Sequence, residues 1–519
     1  MSQTESARSG ARSESSRWLS GRKLAMLLCC AGAPFMTMLD TNIVAVALPA
    51  IARDLHGEFT DVEWVISAYL LPFAGLLMPA GALADRLGRR RVLYLGLVLF
   101  TMASLLCALA PNLLVLNLAR ALQAVGGAMQ LTASLAVIAH GFAPQYRARV
   151  YAIWATVMGV APVLGAILGG LITTHLGWRW GFYINVPIGF ALMAVGFGSV
   201  SESRDPQAER LDVVGILFFG AGLSTLVWPL IEANRVGWGS PQTLITLAFG
   251  VALLVIFVFA ERRHPRPMID LTLFKAPAVI GAAAAMLGYA AAGQLMMTIL
   301  PVYLQDAFGQ SAAQAGVAMI PFALPLLLGP SLGAVLAARL TFGLAMLAVG
   351  DAALAVAVCA GAGYWAMMVA MAIVGLATGV LNSETTKAQV SAVPPDRAGM
   401  ASGIAGTTRF IGLTVGLTGI GAILTAAAEN GLRRLGTQIV SADSVDWHAV
   451  NLRIVGGDAA GALSDLPLAI RMLLGHAVRA SVASGFTAAF TAAAVTAMVS
   501  SILAWYLLRG TRPGAPPPR

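Results

Sequence analysis

The chain has 519 residues, of which 58% are hydrophobic and 11% are charged, and its formal net charge is +9. Its mean hydropathy of +0.79 and its apolar runs of about 20 residues, the length at which a helix crosses a bilayer, exclude a soluble globular protein. The excess of Lys and Arg does not indicate a nucleic-acid partner, because these residues lie between the apolar runs rather than on one face or in one tail.

Residues 1–23 begin with a stretch rich in Ser, Arg and Gly, so we expect a disordered cytoplasmic tail there and another over 509–519. Fourteen apolar runs lie between the tails, each near the length of a membrane-spanning helix. They cover approximately 24–50, 62–83, 92–110, 113–138, 150–173, 181–200, 213–231, 243–260, 278–304, 314–336, 343–363, 366–386, 400–427 and 485–508. The sequence therefore predicts an all-α polytopic membrane protein with both termini on one side.

Lys and Arg are unevenly distributed among the loops. They collect in both tails and in every second loop, whereas the short loops on the opposite side contain only Arg53, Arg179 and Arg235. Excess Lys and Arg marks the cytoplasmic side of a membrane. We therefore expect a multi-pass protein of the cell inner (plasma) membrane with both termini in the cytoplasm.

One outer loop, over 428–484, is long and carries both signs of charge. Its last part, Leu466–Val482, alternates apolar residues with Arg471, His476 and Arg479 at helical spacing. This pattern predicts an amphipathic helix lying at the outer surface. A simple connector is the alternative, because long loops are often merely tolerated.

The turn between the second and third runs, Gly81–Arg91, is the most charged short stretch of the chain and reads GALADRLGRRR. Its predicted functional residues are Gly81, Asp85, Arg86, Gly88, Arg89 and Arg90. Asp85 lies at the C-terminal end of a helix, where the helix dipole disfavours a carboxylate. Its charge must be offset by the adjacent arginines or by the N-terminus of another helix, so we interpret the turn as a joint between moving parts.

Ionisable residues inside apolar runs are candidates for function, because each is costly unless it is paired or hydrated. Asp40 lies about 10 residues from the outer end of the first run, and Arg120 about 8 residues from the outer end of the fourth, so both are roughly 12–15 Å deep. The similar depths therefore allow an ion pair or a shared polar site. The alternative is a permanent structural pair.

A second group of charged residues lies in the later runs. Asp351 is inside the eleventh run, Glu384 is near the inner end of the twelfth, and Arg409 is inside the thirteenth. We assign proton coupling or substrate binding to these residues, with an interfacial position as the alternative for Glu384. Polar amides that line a cavity or join helices are Asn42, Gln123, Gln130, Gln294 and Asn382.

The fifth run reads GVAPVLGAILGG and is rich in small residues: Gly159, Pro162, Gly165, Gly169 and Gly170. Gly165 and Gly169 form a face that allows another helix to approach closely, and Pro162 interrupts the helical hydrogen bonds. Tight packing alone would also account for this composition.

Together these stretches resemble the major facilitator superfamily, in particular its fourteen-span drug:proton antiporter branch. The turn Gly81–Arg91 is similar to the loop between the second and third spans of that superfamily. The other similar stretches are LDTNIVAVALP (Leu39–Pro49), RALQAVGGAM (Arg120–Met129), GVAPVLGAILGG, WRWGFYINVPIG (Trp178–Gly189), PVYLQ (Pro301–Gln305) and TTRFIG (Thr407–Gly412). Ala161 and Ala166 depart from the usual glycines of the fifth-span motif, and Gly333–Gly343 is an echo of the charged turn without its aspartate.

The resemblance implies two six-helix bundles, over 24–200 and 278–508, with two additional central spans in the insertion 201–277. The bundles would rock about a central site and give alternating access. Asp85 would then cap the N-terminus of the thirteenth span, near Gly399–Ser402, when the cavity faces outward.

The implied function is proton-coupled efflux of lipophilic or cationic compounds, with the buried acidic residues alternating between proton and substrate. The alternatives are export of one metabolite or antibiotic and, more distantly, an intramembrane enzyme or a sensor. We expect no catalytic site, no metal and no cofactor, since the proton gradient drives transport. The expected partners are a small-molecule substrate, protons and the lipid bilayer, and the protein is expected to act as a monomer that binds no nucleic acid.

Overall fold

A computed structural model describes residues 20–55, 59–204, 213–237, 239–264, 271–310, 312–335, 340–393, 398–436 and 468–509. Within these ranges the regular secondary structure is entirely helical. The prediction of an all-α protein is therefore confirmed.

The first half consists of five long helices and two short ones, which coincide with the predicted runs. They are α1 (Gly21–Asp54), α2 (Phe59–Leu87), α3 (Arg89–Ala108), α4 (Leu113–Gly141), α5 (Pro144–His175), α6 (Arg179–Tyr183) and α7 (Asn185–Gly196). The sixth run is thus divided between α6 and α7. Pro187 accounts for the break, because it has no N–H to bond the Tyr183 carbonyl four residues earlier and its ring crowds that carbonyl.

The second half begins with the insertion and ends with the longest helices. The elements are α8 (Val213–Val236), α9 (Pro241–Arg263), a 3₁₀ turn (Leu271–Lys275), α10 (Pro277–Gly288), a π-helix (Tyr289–Gln294), α11 (Met296–Phe308), α12 (Ala312–Ala318), α13 (Ile320–Val335), α14 (Leu340–Cys359), α15 (Tyr364–Ser391), α16 (Ala398–Gly436) and α17 (Leu468–Leu508). The ninth run is therefore interrupted by the π-helix, and the tenth is broken at Met319.

Ten helices of the described ranges are long and apolar enough to span a membrane, or eleven if the bent α5 is included. Two further apolar helices, Leu217–Pro229 and Ile320–Pro330, are shorter. A multi-pass membrane protein is confirmed, whereas the count of fourteen spans stays a prediction.

Close helix contacts depend on glycines in both halves. A Cβ added at Gly126 of α4 would lie 2.5 Å from the Phe100 backbone nitrogen of α3, and one at Gly379 of α15 would lie 2.2 Å from the Leu326 carbonyl oxygen of α13. Lipid is as apolar as a hydrophobic side chain, so helices associate mainly through such close packing. The glycines therefore set the spacing of the helices that carry the buried polar residues.

The insertion packs on the first half. A Cβ at Gly75 of α2 would lie 3.1 Å from the carbonyl oxygen of Gly220 in α8. The rings of Trp64 and Trp228 join the same two helices, with centroids 4.5 Å apart. Helix α8 also contacts α16, so it lies where the two halves of the chain meet.

The two halves meet through α2 and α16 and through α5 and α13. Phe73 and Phe410 pack edge to face, with ring centroids 4.6 Å apart. A Cβ at Gly159 of α5 would lie 3.0 Å from Cδ2 of Leu326 in α13. The buried apolar residues nevertheless form separate clusters, one drawn mainly from α10–α17 and two mainly from α1–α9.

The predicted outer loop 428–484 is largely helical at both ends. Helix α16 continues to Gly436, and α17 is one continuous helix from Leu468, so the helix predicted over Leu466–Val482 is present from Leu468 as the start of the last long helix and not as an element of its own. Small residues explain the correction: Ser481 Oγ donates to the Ala428 carbonyl oxygen at 2.6 Å, and a Cβ at Gly485 would lie 2.9 Å from Cβ of Ala428. The close contact extends both helices, while 437–467 lie outside the described residues.

Candidate functional site

Asp40 of α1 and Arg120 of α4 form an ion pair inside the first half of the chain. Arg120 Nη1 lies 2.6 Å from Asp40 Oδ2, and both side chains are 0% exposed. The ion pair that the matched depths of Asp40 and Arg120 in the membrane allowed is therefore present. Removing one partner of a buried pair leaves an uncompensated charge, which typically costs ~3–5 kcal/mol.

Two amides complete the environment of the Asp40 carboxylate. Its Oδ1 accepts a hydrogen bond of 3.0 Å from Gln123 Nε2 and one of 2.7 Å from Asn185 Nδ2. Arg120 and Gln123 lie about one turn apart on α4, and Asn185 is the first residue of α7. The carboxylate thus receives hydrogen bonds from a cation and two amides.

Arg120 has contacts beyond Asp40. Its Nε donates to the Val65 carbonyl oxygen of α2 at 3.1 Å, and its Nη1 also donates to Gln123 Oε1 at 2.7 Å. Its guanidinium carbon lies 4.2 Å from the centroid of the Tyr69 ring, a cation–π contact. The arginine would therefore keep neutral partners if Asp40 became neutral.

Ser104 of α3 connects the two amides. Its Oγ accepts from Asn185 Nδ2 at 2.9 Å and from Gln123 Nε2 at 3.3 Å, and it donates to the Phe182 carbonyl oxygen at 3.0 Å. The hydroxyl therefore fixes both amides toward Asp40. The six side chains of this buried polar network are Asp40, Tyr69, Ser104, Arg120, Gln123 and Asn185.

Sequence reasoning missed Tyr69, Ser104 and Asn185. Asn185 had a usable signal, because it is a lone amide in an otherwise apolar stretch of the sixth run. Ser104 and Tyr69 had none, since an isolated serine or tyrosine is ordinary in a membrane helix.

A family model described as Major Facilitator Superfamily matches residues 30–288. The chain is also 34% identical over 401 residues to the multidrug resistance protein Stp of Mycobacterium tuberculosis strain H37Rv, an alignment that covers 76% of this chain and 74% of the relative. The chain belongs to the major facilitator superfamily.

Other relatives point the same way. The tetracenomycin C resistance and export protein of Streptomyces glaucescens is 30% identical, with 86% of this chain and 82% of the relative covered. The probable actinorhodin transporter of Streptomyces coelicolor is 32% identical, with coverage of 81% and 77%. The chain is therefore an efflux transporter, related to the members of this superfamily that confer resistance to drugs and antibiotics, as predicted.

A solved structure shares the fold. A bacterial homolog to the human lysosomal transporter Spinster, in an inward-facing and unoccupied conformation, has a TM-score of 0.59 over 95% of this chain and 98% of that one. The two sequences are 17% identical, so the likeness extends to the major facilitator fold and no further.

In this transporter the glycine-rich helix α5 packs directly beside Asp40. A Cβ at Gly165 would lie 2.7 Å from Cβ of Asn42, and one at Gly169 would lie 3.0 Å from Cα of Ile43. Helix α5 bends by about 40° between its parts Gln145–Pro162 and Ile167–His175. The close-approach face predicted for Gly165 and Gly169 is present and holds α1 where it carries the carboxylate.

The charged turn between α2 and α3 is anchored by two carboxylates. Asp85 Oδ1 accepts from Arg89 Nη2 at 2.7 Å and from Arg89 Nε at 3.0 Å, so an adjacent arginine offsets the misplaced charge. The predicted contact of Asp85 with the helix N-terminus near Gly399–Ser402 involves residues whose side chains lie partly outside those that the structure describes. Among the described residues, the hydrogen-bond partner of Asp85 is Arg89, one turn later.

The second carboxylate is Glu202, which sequence reasoning missed. Its Oε1 accepts from the Arg90 backbone nitrogen at 3.2 Å, and the Arg89 backbone nitrogen donates to the Ser203 carbonyl oxygen at 2.9 Å. These contacts satisfy free N–H groups at the start of α3, where the helix dipole also favours an anion. The segment leading into the insertion is thereby fastened to the charged turn.

The three charged residues of the second half do not converge. Glu384 pairs with Lys387 at 2.7 Å on a partly exposed stretch of α15, which agrees with the alternative that Glu384 lies at the membrane interface. Arg409 Nε donates to Gln294 Oε1 at 2.9 Å, and its Nη2 contacts the Tyr289 hydroxyl at 3.4 Å. Asp351 is fully buried, and neither of its carboxylate oxygens has a hydrogen-bond partner among the described residues. Their side chains face different neighbours, and the proton-coupling or substrate roles assigned to them stay a prediction.

The remaining predicted amides are separate from the Asp40 network. Asn42 Nδ2 donates to the Met38 carbonyl oxygen at 2.8 Å, within its own helix. Gln130 donates to Thr37 Oγ1 and so joins α4 to α1. Asn382 is buried in α15, and Gln294 is engaged by Arg409. Gln123 alone among these amides contacts Asp40.

Proposed function

We propose that this transporter couples efflux to protons through Asp40, which exchanges a bound proton for its ion pair with Arg120. The fully buried pair supports this proposal, because a carboxylate deep in a membrane protein can change its charge only if its surroundings support both forms. Arg120, Gln123 and Asn185 stabilise the ionised form by donating to it.

When the Asp40 carboxyl group is neutral, Arg120 requires other partners. The Val65 carbonyl, Gln123 Oε1 and the face of Tyr69 supply acceptors and a π surface for the arginine when Asp40 takes up a proton. Protonation then removes the charged link between α1 and α4 while their neutral contacts remain. Because α5 packs on α1 beside Asp40 and contacts α12 and α13 of the other half, a change at the carboxylate reaches the boundary between the halves.

The proposal is tested by Asp40→Asn in everted membrane vesicles, with a compound to which expression of the protein confers resistance. Proton-driven transport of that compound should fall at least tenfold, although the variant is present in the membrane. Asp54→Asn is the matched control, since Asp54 lies on the same helix but pairs with Arg179 at the exposed surface. Full transport by the Asp40 variant would overturn the coupling role.

The broad substrate class proposed here is lipophilic compounds, cationic ones included. The multidrug relative supports this breadth. A growth-inhibition panel comparing expressing cells with cells that carry Asp40→Asn tests it. Resistance confined to one compound would favour the second candidate, export of a specific metabolite or antibiotic.

Two observations favour that second candidate. Two relatives are named for tetracenomycin C and for actinorhodin, single compounds rather than a drug range. Arg409 is a partly buried cation inside α16, and none of the described carboxylates lies within 4.0 Å of it. An acceptor or anionic group on a substrate would be complementary to this guanidinium, whereas a purely cationic compound would be repelled.

The topology remains part of the proposal. We infer an inner-membrane location with both termini cytoplasmic, two bundles over 24–200 and 278–508, and a monomeric functional unit. The basic residues of alternate loops support the orientation. Reporter fusions at the two termini, active only in the cytoplasm, test it directly.

A further inference from the structure

Asp351 of α14 is a buried carboxylate that the proposed Asp40 mechanism does not use. Its side chain is 0% exposed, and both carboxylate oxygens lack a hydrogen-bond partner within the described ranges. Leu347 and Leu354, about one turn before and after it on the same helix, are also 0% exposed. The carboxyl group therefore lies on the buried face of α14.

The described side chains of the helices packed against α14 bring no charge to this carboxyl group. They are α15, α17, α10 and the π-helix. The titratable residues on these elements whose side chains the structure describes are Tyr289, Tyr364, Glu384, Lys387, Arg479 and Tyr506; the side chains of Arg471 and His476 in α17 lie outside that set.

Each of these residues is engaged or exposed elsewhere. Glu384 and Lys387 pair with each other, Tyr289 contacts Arg409, and the Tyr364 hydroxyl donates to the Ala318 carbonyl oxygen. Arg479 and Tyr506 are exposed, and none of the six forms an ion pair or hydrogen bond with Asp351. No described cation compensates a negative charge at this position.

An isolated ionised carboxylate in such surroundings is so costly that the group takes up a proton instead. We propose that Asp351 is a second proton-binding site of the transporter and that it holds a proton in this conformation. Asp40, in the other half of the chain, receives hydrogen bonds from a cation and two amides in the same conformation. The two buried carboxylates therefore differ in their hydrogen-bond partners, and the second site rests on the proposed function only for its role in transport.

The decisive experiment is infrared spectroscopy of the purified full-length protein at pH 7.5, because the carbonyl stretch of a protonated carboxyl group is separate from the bands of a carboxylate. The wild-type protein should show a protonated-acid band that is absent from Asp351→Asn and present in both Asp40→Asn and Asp54→Asn. Asp351→Glu should shift this band rather than remove it. An unchanged band in the Asp351→Asn protein would overturn the proposal.

This measurement needs no substrate, so its outcome is independent of whether Asp40 couples transport. Thermal unfolding adds a readout that separates a proton site from a structural role. Asp351→Leu removes a polar group without a partner and should leave the unfolding temperature unchanged or raise it, whereas a carboxyl group that stabilises the fold would make this variant less stable. A lowered unfolding temperature for Asp351→Leu would also overturn the proposal.

Discussion

Asn185 donates a 2.7 Å hydrogen bond to the carboxylate of Asp40, although the two residues are separated by 145 positions in the chain. The packing of α7 on α1 explains how the amide reaches this carboxylate. Pro187 interrupts the helical hydrogen bonds between α6 and α7, and the packing of α7 on α1 places Asn185 beside Asp40. Asn185 is therefore a positioning residue for the proposed proton site.

Replacing Asn185 by Leu should make Asp40 hold its proton to higher pH. A hydrogen bond to a charged group is worth ~1.5–3 kcal/mol, so its loss should move the pH of half-maximal transport upward by about one to two units. Transport against pH in everted vesicles measures this shift. Asn185→Gln retains the amide at a different length and should recover part of it, whereas an unshifted profile for the leucine variant would contradict the role.

Replacing Arg120 by Ala should have a larger effect in the same direction. The uncompensated carboxylate would be neutralised by a proton, so transport should fall at neutral pH and recover only as the pH rises. Arg120→Lys restores the charge without the planar fork that contacts Asp40, Val65 and Gln123 together, and partial activity is expected.

The double variant Asp40→Asn with Arg120→Ala tests whether the pair acts as a unit. Its loss of transport should be no greater than that of the worse single variant, because each change already removes the same ion pair. Strictly additive losses in rate would show that the two residues work independently.

Asp85→Asn should slow the conformational cycle more than it weakens substrate binding. The residue pairs with Arg89 in the turn between α2 and α3, away from the Asp40 network. The maximal transport rate should therefore fall while the half-saturating substrate concentration changes little. A loss confined to affinity would count against a role in the cycle.

Gly88 should be irreplaceable for two separable reasons. Its φ is 109°, a conformation that a residue with a Cβ rarely adopts, and a Cβ there would lie 2.5 Å from Glu202 Oε1. Gly177→Ala is a matched control, since its φ is 92° but nothing lies within 4 Å of an added Cβ. Gly88→Ala should lower the unfolding temperature more than Gly177→Ala, and equal losses would show that the Glu202 contact is unimportant.

Sequence patterns could identify some residues of the site and not others. Asp40 and Arg120 could be paired from sequence, because charges inside apolar runs are rare and their depths follow from the helical rise. Glu202 could not be linked to Gly88, because it is one of several charges in a polar loop and the contact is set by tertiary packing. Asp351, Glu384 and Arg409 were grouped by depth alone, which says nothing about the direction in which a side chain points around its helix.

Most of the fold was predictable from the hydropathy of the sequence. Hydropathy located nearly every helix, because each must satisfy its own backbone within lipid. It did not locate the π-helix at Tyr289–Gln294 or the break at Met319, since both depend on local backbone geometry inside continuous apolar runs. The continuous α17 was missed because residues Arg471, His476 and Arg479 favour water, while the packing of Ser481 and Gly485 on α16 favours one long helix.

Gly165→Ala tests whether close packing of α5 on α1 is required for the Asp40 site. An added Cβ would lie 2.7 Å from Cβ of Asn42 and 3.0 Å from the Leu39 carbonyl oxygen, so α5 must move away from the segment that carries Asp40. Overpacking of this kind typically costs ~1–3 kcal/mol. Both the unfolding temperature and proton-driven transport should therefore fall. Gly419→Ala is the matched control, because Gly419 also lies within a long helix, α16, but an added Cβ there meets nothing within 4 Å. That control should retain activity and unfold at the same or a slightly higher temperature, since alanine favours a helix over glycine by about 1 kcal/mol. Equal behaviour of the two variants would show that the narrow contact between α5 and α1 has no part in holding Asp40 in place.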